Sequence, residues 1–259
     1  MNVKPKFLGA CGLAMLALAA PVHARDAQGW NMLLLTGPVK GRMVTWTEVQ
    51  PRLLLDENAR VGQFLVRQAV GIRLHDNIDV MLGLHWQQNT TSPDDTIRES
   101  RTYQHIAGHI VTTRQGLDLQ GQTRLEQRRF AGLPDTIWRS RTQLRLHMPL
   151  HGPGTIGPVI ASETMFNLNG GNGRSRAGFE QQRTSVGLYA PLGKGLSLEA
   201  TYLNQRLARI GPDRVVHVAS LKLAYKLGKA SHGDHHELPD PADLQRPDPV
   251  AIPFGNGGE

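Results

Sequence analysis

Polar and apolar positions alternate along most of this chain, most clearly from Gly178 to Ile210. Val186, Leu188, Ala190 and Leu192 share one parity there, and Arg183, Ser185, Gly187 and Tyr189 share the other. After the turn Gly193-Lys194-Gly195, Leu196, Leu198, Ala200 and Tyr202 fall on one face, opposite Ser197, Glu199, Thr201 and Gln205. A strand turns successive side chains to opposite faces, so this stretch predicts a hairpin with one apolar and one polar face. A helix would mix the two sets on every side.

The same texture recurs almost from end to end. Alternating segments run over Gly29–Val39, Met43–Leu53, Gln63–Leu74, Ile78–Asn89, Arg101–Thr112 and Leu117–Phe130. They continue over Ile137–Leu150, Pro158–Leu168, Phe179–Leu192, Leu196–Ile210 and Arg214–Leu227. Each matches, or slightly exceeds, the roughly 9–11 residues that a tilted strand needs to cross a bilayer. His75-Asp76-Asn77, Gly116 and Leu192-Gly193-Lys194-Gly195 make tight connections, whereas Ser92–Glu99 and Asn169–Arg176 are longer and polar. Short turns at one end and longer loops at the other predict an all-β, antiparallel up-and-down transmembrane β-barrel of ten to twelve strands. With both chain ends in the periplasm the count should be even. Either Gly29–Val39 is then not a full crossing, or one further strand is present.

The segment Ile137–Leu150 separates a barrel from a soluble sandwich. Its even positions include Trp138, Leu144, Leu146 and Met148, and its odd ones Arg139, Arg141, Gln143, Arg145 and His147. In a barrel the first set faces lipid and the second lines the lumen. The same division makes Glu48, Arg52, Arg67, Arg73, Arg124, Glu126, Arg128, Glu163, Arg183 and Glu199 lumen-lining candidates alongside Arg139, Arg141 and Arg145. Acids and bases share the polar parity, so neighbouring strands can neutralise one another. A barrel of about eight strands is filled by its own side chains, while one of 16 or more holds a water channel. The count here falls between, and long Arg and Glu side chains should fill most of the bore. Small residues such as Ala69, Gly71 and Thr45 dilute the alternation.

The ends of the chain read differently. Lys4 and Lys6 precede an apolar run from Phe7 to Ala20, and Val22-His23-Ala24 supplies small residues for cleavage, the pattern of a secretory signal over residues 1–24. Cleavage there removes Cys11, the single cysteine, and with it any disulfide or thiol chemistry. The barrel is expected over 25–227. Residues 228–259, rich in Pro, His and acids and without apolar periodicity, are expected to form a disordered tail.

Charge narrows the partners. The chain carries 29 Lys and Arg against 22 Asp and Glu, a formal +7. A secretory leader and evenly spread arginines exclude nucleic acid, and favour an acidic lipid surface or a small anionic solute. The expected partners are outer-membrane lipid and lipopolysaccharide, the outer-membrane assembly machinery and a small anion. No pattern calls for a cofactor, a metal or a defined catalytic set. The enzymatic alternative is a lipid-modifying hydrolase using His105 or His109 with Ser100 or Ser140, though nothing in the spacing selects a pair. A secreted soluble β-protein is the second alternative.

Short strand motifs carry a family resemblance. They are Trp30, Glu48-Val49-Gln50-Pro51-Arg52, Arg124-Leu125-Glu126-Gln127-Arg128, Arg139-Ser140-Arg141 and Leu144-Arg145-Leu146. Glu163 with Phe166, Gln182-Arg183 before Gly187, and Tyr202-Leu203-Asn204-Gln205 complete the set. Together they resemble the uncharacterised "domain of unknown function 2490" family of bacterial outer-membrane barrels. That resemblance implies a barrel and an outer-membrane location, with no known activity. The chain departs from it by running past Tyr225 and Leu227, where such barrels commonly end on an aromatic residue.

Overall fold

In the computed structural model, residues 27–55, 59–92, 95–173, 175–209 and 212–228 are described. They form eleven strands: β1 (Ala27–Lys40), β2 (Met43–Leu54), β3 (Arg60–His75), β4 (Ile78–Ser92), β5 (Asp95–Thr112) and β6 (Asp118–Phe130). The rest are β7 (Thr136–His147), β8 (Gly157–Asn167), β9 (Gly178–Gly193), β10 (Leu196–Leu207) and β11 (Arg214–Lys226). Neighbours in sequence pair antiparallel all the way round, and β1 closes on β11 to give one barrel. The expected signal and tail lie outside the described residues.

The count is odd, and this corrects the expectation of an even number. The first segment is a full barrel strand, paired with β2 on one side and β11 on the other. In an up-and-down meander, strands of odd and even number run in opposite directions, so the first and eleventh point the same way. Closure must therefore be parallel, and the structure has Ala27 to Thr36 alongside His217 to Lys226. Leu227 extends the seam by donating its backbone N–H to the Thr36 carbonyl at 2.7 Å. A closed sheet leaves no edge unpaired whatever the direction of its last pair.

Parallel closure puts the two ends of the barrel chain on opposite rims. One rim carries connections 41–42, 76–77, 113–117, 148–156 and 194–195, together with the exit from β11. It is called the turn rim below. The other, the loop rim, carries the start of β1 and connections 55–59, 93–94, 131–135, 168–177 and 208–213. Ser92–Glu99, expected as a long loop, is mostly strand, because β4 and β5 stay paired out to Ser92 and Asp95. On the turn rim, Gly193, Lys194 and Gly195 all have positive φ (88°, 51° and 78°), the left-handed backbone that a tight hairpin requires. On the loop rim, Asn172 donates its backbone N–H to the Asp135 carboxylate at 2.6 Å and ties the longest loop to its neighbour.

The wall's two faces differ in the way the alternation predicts, with exceptions inside. Leu33, Val70, Leu82, Leu84, Leu144, Val186, Leu188 and Leu223 are exposed on the outer face. The inner face is not purely polar. Val44, Ala69, Met81 and Tyr103 form one buried apolar patch backed by Trp46. Trp30, Val216 and Val218 form another, backed by Leu203 and Leu207. Ala69 and Gly71 share the inward parity of Arg67 and Arg73. Tyr103 lies flat over Gly83, where an added Cβ would sit 2.1 Å from the ring carbon Cζ, so glycine there gives the ring its seat.

Candidate functional site

Alternation sends one set of side chains from every strand to the axis, and in this barrel that set is charged. The structure places Glu48, Arg52, Arg67, Arg124, Arg141, Arg145, Glu163, Arg183 and Glu199 around one central cavity. Arg128 and Arg139 line a second cavity toward the loop rim, and Arg73 a third toward the turn rim. Glu126 is 2% exposed, beneath Arg101 and Arg139. The volumes are about 520 Å³ on the loop side, 150 Å³ at the centre and 330 Å³ on the turn side. Trp30, Arg52 and Arg183 border both the central and the loop-side cavity, and Arg145 and Lys222 both the central and the turn-side one. The bore thus holds three adjacent chambers that share lining residues, with the smallest in the middle.

Ion pairs lace the whole bore. Glu99 accepts from Arg101 at 2.7 Å and Arg128 at 2.5 Å. Glu126 accepts from Arg139 Nε at 3.0 Å and Arg101 at 3.4 Å. Glu180 on β9 reaches past β8 and β7 to Arg128 on β6, at 2.7 Å, and also holds Arg139 at 2.8 Å. Arg145 on β7 crosses to Glu199 on β10 at 2.6 Å, where Lys222 also pairs at 2.9 Å. Glu163 pairs with Arg141 at 2.5 Å and Arg183 at 3.1 Å, and Glu48 with Arg67 at 2.6 Å. Arg73 pairs with Asp79 at 2.8 Å on the turn side. Buried charges are tolerable only when paired and hydrogen-bonded, and each inward glutamate here has an arginine partner, although Glu48 Oε1 is buried without a hydrogen bond among the described residues.

The cations outnumber the acids. Around the central cavity Arg52, Arg67, Arg124, Arg141, Arg145, Arg183 and Lys222 face Glu48, Glu163 and Glu199. The loop-side cavity adds Arg101, Arg128, Arg139 and Arg214 with Glu180 as its lining acid. Arg101 stands directly opposite Arg128, and Arg124 opposite Arg141. Like charges so placed repel unless something between them is negative. Glu99 serves the first pair. Arg141 has Glu163, while Arg124 donates to the neutral amide oxygen of Gln122 at 3.3 Å.

Alternation missed several members of this set. Arg101 and Tyr103 share the parity of His105, but Glu99 was assigned to a loop that is really strand. Glu180 falls on the parity opposite to Arg183, because the β8–β9 register shifts between Met165 and Phe166. Lys222 lies among Val216, Val218 and Ser220, an inward row that does not look polar. The hydrolase residues separate instead of meeting. His105 Nε2 meets the accepting amide oxygen of Gln122 at 3.0 Å on the inner face, and His109 meets Asp118 at 2.6 Å. Ser100 and Ser140 share the outward parity, across the sheet from both histidines.

A sequence pattern described as "Protein of unknown function (DUF2490)" matches residues 27–216. The chain belongs to this family. The DUF2490 match covers β1 to β10 and enters β11, so it includes nearly all of the arginine-lined wall. An uncharacterized protein of Methylorubrum extorquens is 31% identical over 215 residues, spanning 82% of this chain and 93% of that protein. The similarity therefore extends over the barrel as a whole and carries no activity with it.

Proposed function

We propose that this DUF2490 protein is an outer-membrane β-barrel whose narrow, cationic lumen admits small anions. The observation that carries this reading is the excess of guanidinium groups around three adjacent chambers along the bore. A low-dielectric wall focuses the field of such charges and concentrates counter-ions of opposite sign.

The membrane part is supported by the outer wall. Exposed large apolar side chains occur on ten of the eleven strands, β6 excepted, a wider spread than the apolar patch of an ordinary soluble surface. Phe64 packs on Trp86, and Phe166 on Phe179, in the half of the wall nearer the loop rim. Aromatic residues gather in this way at bilayer interfaces. Outer-membrane lipid and lipopolysaccharide are then the partners of the outer wall, and the assembly machinery inserts it. Short connections 41–42, 76–77 and 194–195 favour the periplasm for the turn rim. The chain then leaves β11 on the periplasmic side, and β1 begins on the outer side.

Reconstitution in planar bilayers tests the reading. The expected result is a small conductance whose reversal potential in a potassium chloride gradient leans toward the anion. Cation preference would overturn the lumen's role, and release from membranes by carbonate without detergent would overturn the location.

A further inference from the structure

Three arginines in the middle of the lumen have more positive charge than their surroundings balance. Arg52 gives its Nε and Nη2 hydrogens to the amide oxygen of Gln50, at 3.1 and 2.8 Å, and its Nη1 to that of Gln63. Among the described residues these acceptors are neutral. Its guanidinium lies 3.6 Å from the centroid of the Trp30 ring. Arg183 approaches the same ring at 4.9 Å, shares Glu163 with Arg141, and leaves its buried Nε without a partner among the described residues. Arg124 is 3% exposed and its Nε is likewise without a partner. It stands opposite Arg141 and packs between the rings of Trp46 and Tyr103 at 5.7 and 5.5 Å.

An aromatic face orients a guanidinium but does not neutralise it. Burial without a counter-charge costs several kcal/mol, and leaving a buried donor unmade adds to that. Of the carboxylates around this cavity, Glu48 pairs with Arg67 and Glu199 with Arg145 and Lys222, while Glu163 is divided between Arg141 and Arg183, so three acids serve seven cations. A negative group from outside the chain would relieve both strains at once. Guanidinium forks match the oxygens of a tetrahedral oxyanion in geometry as well as charge. The cavity of about 150 Å³ has room for such an ion, and the larger loop-side cavity gives access through Trp30, Arg52 and Arg183.

We infer that Arg52, Arg124 and Arg183, walled by Trp30 and Trp46, form a binding site for a free phosphate-class oxyanion in the centre of the lumen. The inference rests on the proposed anion-accepting lumen and names where in it the anion stays. Trp30 sets the pitch of two arginines at once, so it positions the site and does not merely fill space. The ligand arrives from solution, because the barrel wall separates this cavity from lipid.

Full-length protein folded in detergent should bind inorganic phosphate saturably at constant ionic strength, by calorimetry and by a change in tryptophan fluorescence. Chloride at the same ionic strength should not compete. Arg52→Gln and Arg124→Gln should each weaken phosphate by about tenfold or more, since a hydrogen bond to a charged group is worth roughly 1.5–3 kcal/mol. Arg206→Gln, at an exposed pair outside the lumen, should bind as the wild type does. Heat-modifiable migration checks that each variant is folded. Unsaturable binding, or equal affinity in Arg52→Gln and wild type, would overturn the site. Displacement of phosphate by phosphatidylglycerol in the micelles would assign it to a lipid headgroup and overturn the free-anion assignment. Flotation with liposomes separates the two proposals: flotation without phosphate binding sinks the site alone, and binding without flotation sinks the membrane reading alone.

Discussion

The two sides of the bore handle the same residue type in opposite ways. Along β5 to β9, Glu99, Glu126 and Glu180 each hold at least two arginines, and the pairs to Glu180 span the lumen. Beside the β1–β11 seam, Arg52 has amide oxygens for company and the indole of Trp30, which clusters with Val216 and Val218. The first arrangement is a strut. The second is a cation held ready and not neutralised. Arginine content alone therefore says little about a lumen; what decides its role is whether a carboxylate lies within reach of each guanidinium.

The largest effect should come from breaking the strut. Glu126→Ala strips Arg139 and Arg101 of a shared acceptor at a position 2% exposed. Removing one partner of a buried ion pair costs about 3–5 kcal/mol. Urea unfolding of the reconstituted barrel should report a loss of that size, and an unchanged midpoint would show that the strut does not support the fold.

Next comes the outer wall against the inner one, tested on adjacent residues. Leu144 is 49% exposed on the outer face, and under the proposed membrane placement an arginine there costs about 2–4 kcal/mol at mid-bilayer. Leu144→Arg should lower the yield of inserted, heat-modifiable protein. Arg145→Leu should insert nearly normally, because Glu199 keeps Lys222 as a partner at 2.9 Å. The reverse ranking would mean that inside and outside have been exchanged.

A smaller effect is expected from the apolar inner patch. Gly83→Ala drives a methyl into the Tyr103 ring and should cost about 1–3 kcal/mol through overpacking. Pairing it with Tyr103→Leu should restore part of the loss, which thermal unfolding of the double variant would measure. The smallest effect belongs to an exposed pair. Arg206 and Asp213 meet at 2.6 Å with the arginine side chain 63% exposed, so Arg206→Ala should cost under about 1 kcal/mol in the same assay.

Much of the wall was legible one residue at a time. Arg139, Arg141 and Arg145 sit where their parity put them, and so do Leu144 and Leu146, because a strand has only two faces to offer. Parity failed where the period itself broke. Glu180 follows a register shift, and the third segment, read from Gln63, begins at Arg60 across another shift opposite Arg52 and Leu53. It also failed where the inner face turned apolar, at Val216 and Val218, since no rule requires a lumen to be polar throughout.

The sequence by itself determined an all-β chain of alternating strands and which side chains share a wall, because face is a local property with a period of two. Only the tertiary structure decided the odd count, the parallel seam between β1 and β11, and the partners that meet across the bore. Arg145 was open to any inward acid, and its partner is Glu199, three strands and 54 residues away. Alternation records which face a residue occupies but carries no information about which distant strand closure brings opposite it. That depends on strand number, register and curvature together.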